Sequence, residues 1–144
     1  MNKQINLSFF SDELKEVKTH KKEFLEQIER IMPWGELEEL VRPCYYEGKR
    51  GNKPYDLELM LRIHLLQNLY NLSDEGTRNE VIDSRAFSDF CGVESSNQIP
   101  DGDTIGRFRN LLINNHIHEQ FFALVVKTLA DRGLILKKGT IVDS

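Results

Sequence analysis

The sequence predicts a mostly α fold: a multi-helix domain over residues 1–133, containing a helix-turn-helix-like segment, followed by a short β element at residues 134–144. Three observations carry this. Apolar residues recur at three- and four-residue spacing along most of the chain, which places them on one face of successive helices. Ser or Asp stands before several of these stretches with acids just after it, as at helix N-termini. After Gly133 the pattern changes to two short apolar runs, Leu134–Leu136 and Thr140–Val142, about a Lys-Lys-Gly turn, and these read as strands.

Ser11, with Asp12 and Glu13, is a helix start, and Leu14, Val17, Phe24, Leu25, Ile28 and Ile31 form the apolar face that follows. Pro33 ends this helix or opens the next. Trp34, Leu37, Leu40 and Val41 make a short amphipathic helix, ended by Pro43. The stretch RPCYYEGKRGNK, Arg42 to Lys53, reads as a loop, with Arg42, Lys49, Arg50 and Lys53 against one acid, Glu47. A basic Gly-containing loop with aromatic residues suits a nucleic-acid backbone. A solvated connector accounts for it equally well.

Asp56 caps the strongest helix, Leu57 to about Asn71, which is apolar nearly all round and therefore central and buried. His64 within it reads as a core or interface histidine rather than a ligand. Ser73 caps the next helix, which carries Asp74 and Glu75 in its first turn and Val81 and Ile82 on its apolar face. Ser84 starts a short helix with Phe87 and Phe90, stopped by Gly92. Glu94 to Gly102 is rich in turn formers. Asp101 or Asp103 caps the following helix, with Ile105, Phe108, Leu111 and Leu112 at helical spacing. Gly106 inside it costs about 1 kcal/mol relative to alanine. The last helix runs from about His118 to Asp131, with Gly133 as its left-handed stop.

The chain has 144 residues, enough for one domain with a core, and its net charge of −4 argues against a uniformly basic DNA-coating protein. A local basic patch stays open. No signal peptide is visible, and no apolar run reaches the ~20 residues of a membrane span. A cytoplasmic protein without membrane contact is expected. Cys44 and Cys91 lack a CxxC partner and read as buried or half-buried thiols in a reducing compartment. No phosphate-binding loop, nucleophile elbow or HExxH motif occurs. Capping explains Asp101 and Asp103 better than metal binding does, so a self-contained enzyme is not expected.

The region Asp83–Asn110 reads as a short helix, a loop and a second helix whose first turns carry Thr104, Arg107 and Arg109. Helix-turn-helix proteins put that part of the second helix in the major groove, where Arg meets guanine and Thr meets phosphate or a thymine methyl. The loop is longer than the tight turn of that motif. Arg107 and Arg109 can equally pair with acids on neighbouring helices.

Several blocks, in order, resemble one family: PWGELEELVRPCYYEGKRGNKPYDLELMLRIHLLQNLYNLSDE, then IPDGDTIGRFRNLL, then GLILKKGTIVDS. From about Met32 to Ser144 the chain resembles the N-terminal region of bacterial insertion-sequence transposases of the IS-five family, which carry an Asp-Asp-Glu triad. Gly102 and Gly106 depart from that pattern, standing where helix-friendly residues are more common. The resemblance implies a helical domain for terminal-repeat DNA binding and assembly, ahead of a ribonuclease-H-like catalytic domain of which residues 134–144 are the start. It places Asp143, in GTIVDS, at the first catalytic aspartate and metal ligand. The second Asp and the Glu are not in this sequence. Mg²⁺ thus belongs to the full-length family; this chain is expected to bind none tightly and to be inactive alone.

The expected function is the DNA-binding and assembly part of a cut-and-paste transposase. Its substrate is double-stranded DNA at the terminal inverted repeats of an insertion sequence. Arg42, Lys49, Arg50, Lys53, Thr104, Arg107 and Arg109 are the expected DNA contacts. A second copy or full-length transposase is the expected protein partner. Two further readings stand beside it. One is an interaction module that pairs with and inhibits full-length transposase, using the apolar helices Leu14–Ile31 and Leu57–Tyr70. The other is an inert remnant of a decayed element.

Overall fold

The computed structural model describes residues 19–46 and 55–134, and these form seven α-helices and one 3-10 turn, with no strand among the described residues. Helix α1 spans His20–Ile31. Thr19 has an extended backbone, and its Oγ1 accepts the Lys22 N–H at 3.1 Å. The helix therefore begins there and does not run on continuously from Ser11, which lies outside the described residues. Thr19 leaves the helical conformation between two stretches that share one apolar spacing, so spacing alone joined them.

Helix α2 spans Trp34–Tyr46, and Pro43 lies inside it rather than ending it. An interior proline removes one backbone donor and crowds the preceding turn, at a cost of about 3 kcal/mol. Burial of Val41 and Tyr45 on either side of Pro43 offsets this. The Arg42–Tyr46 part of the expected loop is thus helical. Lys49, Arg50 and Lys53 lie outside the described residues.

Helix α3, Leu57–Leu69, is the central element, with Met60, Leu61, Ile63, Leu65 and Leu66 all buried. Asp56 holds the N-cap position, but its side chain makes no capping hydrogen bond. The helix stops short of Asn71, whose φ of 52° is left-handed. Helices α2, α4, α5 and α6 pack around α3 and take up most of its Leu57–Leu69 surface within the domain.

Polar groups on α3 are tied into this core. Arg62 is 8% exposed. Its Nη2 reaches Glu29 and Glu58, each at 2.9 Å, and its Nη1 pairs with Glu29 and donates to the Phe90 carbonyl at 2.9 Å. The guanidinium lies over the Trp34 ring at 4.3 Å, so one side chain joins α1, α2, α3 and the next short helix. Burial alone would lower its pKa; hydrogen bonds to Glu29 and Glu58 outweigh that and raise it. His64 sits among the rings of Phe108, His118, Phe121 and Phe122, as the sequence suggested. Burial first, and the charges of His118 and Arg109 next, push its pKa down to about 3.

Helix α4, Asp74–Asp83, is capped by Ser73, whose Oγ accepts the Gly76 N–H at 2.9 Å. Ser84 both ends α4 and caps α5, Arg85–Cys91, accepting the Phe87 N–H at 3.2 Å. Gly92, at φ 73°, closes α5: its N–H bonds the Asp89 carbonyl while Val93 N–H bonds that of Ser88. The left-handed turn needed for this pair of bonds favours glycine. Helix α6 spans Gly102–Asn114, and Asp101, not Asp103, caps it, accepting the Thr104 N–H at 2.8 Å. Helix α7, His118–Asp131, packs against α2 and α6 and ends at Gly133 with the same pair of bonds. Leu134 packs onto the core outside any strand, and the rest of the expected β element, 135–144, lies outside the described residues.

Candidate nucleic-acid interface

Helix α6 presents three faces. Ile105, Phe108 and Leu112 enter the core. Gly102, Gly106 and Arg109 recur at i, i+4 and i+7 and meet α4. The remaining flank carries Thr104 and Arg107, and it is open.

The α4 face explains both glycines. A methyl group on Gly106 would come within 2.7 Å of Asp74 Oδ2, and one on Gly102 within 2.2 Å of Glu75 Oε2. Bare Cα positions therefore let the first turn of α4 lie directly on α6. One turn further, Arg109 grips Asp74, with Nε to Oδ1 at 3.1 Å and Nη2 to Oδ2 at 2.7 Å. Gln67 of α3 donates to the same Asp74 Oδ1 at 2.8 Å. These bonds, Arg109 foremost, hold the Asp74 carboxyl below the usual carboxylate range, and Asp74 raises Arg109 in return. The pair fixes the rotation of α6 about its own axis.

That rotation turns Arg107 outward. Arg107 is exposed, and its Nη2 donates to Thr104 Oγ1 at 3.2 Å, so the two expected contacts form one small polar unit. Beside them Asp101 is held below its ordinary pKa, chiefly by the Thr104 N–H and further by the charges of Arg107 and Arg78. Arg78, on α4, was not singled out from the sequence. It follows Asp74 by one helical turn, and that spacing was the available signal.

The other expected residues fall differently. Arg109 is turned to Asp74. Arg42, on α2, pairs within its own helix with Glu38 at 3.0 Å and Glu39 at 3.7 Å. No hydrogen bond or ion pair among the described residues links Arg42 to Thr104 or Arg107. Segment 47–54, which holds Lys49, Arg50 and Lys53, lies outside the described residues, but its flanks do not: Tyr45 donates its hydroxyl to the Tyr55 carbonyl. The Tyr45 ring stands edge-on to Phe108 of α6 at 5.6 Å. The two described residues that flank the basic segment, Tyr45 and Tyr55, are thereby joined to each other, and Tyr45 to α6.

Helices α5 and α6 do not form the tight two-helix turn of the standard DNA-binding motif. Residues 92–101, including the 3-10 turn Ser96–Gln98, separate them, and α6 packs chiefly on α4. Among the described residues no three His, Cys, Asp or Glu side chains come together to hold a metal ion, and Asp143 lies outside them. No helix among them is long and apolar enough to cross a membrane.

Comparison with known proteins agrees with the helical blocks. No solved structure matches the chain. The family model described as Transposase domain (DUF772) matches residues 12–111 of the 144, a span that covers α1 to α5 and the Thr104–Arg109 turns of α6. The chain belongs to this transposase domain family.

Proposed function

We propose that this domain is the DNA-binding and assembly part of a transposase that cuts and pastes insertion-sequence ends. The observation that carries the reading is the Thr104–Arg107 unit, set outward on a helix whose rotation is fixed by Gly102, Gly106 and the Arg109–Asp74 pair. An arginine held on a rigid helix contacts phosphate or guanine without the cost of ordering the backbone first. In this reading Lys49, Arg50 and Lys53, the basic residues of the sequence 47–54, add phosphate contacts. In this reading Arg109 positions α6 and Arg107 touches DNA. Asp143 is the first of the carboxylates that hold catalytic Mg²⁺ when a complete ribonuclease-H-like domain is present, and strand cleavage requires the others.

Fluorescence anisotropy with labelled element ends and scrambled duplexes, across a salt series, tests this. Wild type binds ends more tightly than scrambled DNA, with a steep fall of affinity as salt rises. Arg107→Ala weakens binding and makes the salt slope shallower by about 1 if it contacts phosphate. Equal affinity for ends and scrambled DNA, or an Arg107→Ala variant that binds like wild type, overturns the assignment.

A further inference from the structure

We propose that the groove between α2 and α7 is where two copies of this chain associate. The groove has a volume of about 640 Å³, and Leu40 of α2 with Ala123 and Leu124 of α7 give it an apolar floor. Gly35 lies on the α2 wall, and a methyl group there would meet nothing within 4 Å. Helical glycine costs up to about 1 kcal/mol relative to alanine, and no contact among the described residues calls for it here. Gly35 and Ala123 leave both walls low enough for another helix to approach closely.

Charge selects the occupant. The α2 wall carries Glu36 and Glu39, and the α7 wall carries Lys127; Glu39 also lies 3.7 Å from Arg42 and Lys127 3.1 Å from Asp131, both solvent-exposed pairs of the kind that is worth little and exchanges readily. A partner of one charge sign would be repelled by one wall. A second copy, related by a two-fold axis, sets each Lys127 against Glu36 and Glu39 of the other copy and repeats that match symmetrically. The groove is thus complementary to itself, which an isologous contact requires. This inference deepens the assembly half of the proposed function. Its test uses no DNA, so failure of either half is seen separately.

Sedimentation equilibrium of the full chain from about 1 to about 100 µM spans the range where a contact of this modest size would show. The expected result is a monomer–dimer equilibrium. Leu124→Asp abolishes it while far-ultraviolet circular dichroism stays helical. Lys127→Glu alone, and Glu36→Lys with Glu39→Lys, each weaken it at least fivefold. Mixing those two variants one to one restores a dimer, because each repulsive wall then faces its opposite. The charge variants alter exposed side chains, so they carry the test even if Leu124→Asp fails to fold. Three results overturn the proposal: a wild-type monomer at every concentration, charge variants that dimerise like wild type, or a mixture that forms no heterodimer.

Discussion

Arg62 on α3 and Arg107 on α6 are the same residue in two settings. Arg62 is surrounded: two carboxylates, a backbone carbonyl and an indole face take up its donors and its charge. Arg107 is exposed and keeps one neutral hydroxyl for company. The first has no donors to offer a ligand; the second has nearly all of them. Arg109 stands between, half-exposed and bound to Asp74. The comparison separates cations that assemble the helices from a cation the helices display.

The contrast breaks most visibly under acid. His64, in the same enclosed helix as Arg62, stays neutral in the folded chain down to about pH 3. In the unfolded chain it takes up a proton near pH 6.5. Its folded pKa is depressed, so its contribution to stability is full above about pH 6.5 and falls by roughly 1.4 kcal/mol per unit as pH drops toward 3. Urea unfolding at pH 7 and pH 4.5 measures this. Wild type loses about 2–3 kcal/mol more between the two than His64→Leu does, since the carboxylates titrate in both. An equal loss in the two proteins would mean that His64 is hydrated.

Arg62→Ala comes next. It leaves the Phe90 carbonyl without its donor and Glu29 and Glu58 without their cation, while uncovering Trp34. Both acids are nearly half exposed, which limits the damage to about 2–3 kcal/mol in urea. Arg62→Lys restores part of the charge and none of the fork.

The two glycines sharpen the picture of α6. At Gly102 the obstacle is the free end of the exposed Glu75, which swings aside; at Gly106 it is Asp74, locked by Arg109 and Gln67. Gly106→Ala should therefore cost about 1 kcal/mol despite its better helix propensity. Gly102→Ala should stay within about 0.5 kcal/mol of wild type. Thermal melts of the pair decide it. Smallest of all is Arg107→Ala, expected within about 0.5 kcal/mol of wild type in the same melts, as for an exposed side chain with one neutral hydrogen bond.

Helix order, the buried α3, the caps at Ser73 and Ser84, and the stops at Gly92 and Gly133 were legible, because each depends on local chemistry; the α6 cap was narrowed to Asp101 or Asp103. Pro43 as a helix end, and one helical face running from Ser11 to Ile31, did not hold for a related reason. Proline's local preference was overridden by burial of Val41 and Tyr45, and apolar spacing ran through a break made by one extended residue. That the chain is a transposase domain was visible in the motif blocks. Asp74 as the partner of Arg109 was not: the two lie 35 residues apart, and only packing of α4 on α6 joins them. Gly102 and Gly106 read locally as weak points of a helix and prove to be its contact surface. The division of labour among Arg62, Arg107 and Arg109 is likewise tertiary, since all three sit in ordinary helical sequence.

The bond from Tyr45 to the Tyr55 carbonyl has a consequence for how such a domain can vary. It holds both ends of segment 47–54 to the core by a contact independent of what the segment contains. Closing a longer segment between fixed ends is cheap, at about 0.6 kcal/mol for each doubling of length. Length and charge can thus change between the two tyrosines while the helices stay under separate constraint. The tyrosine pair works as a splice point, at which a change of sequence between the two residues need not be a change of fold.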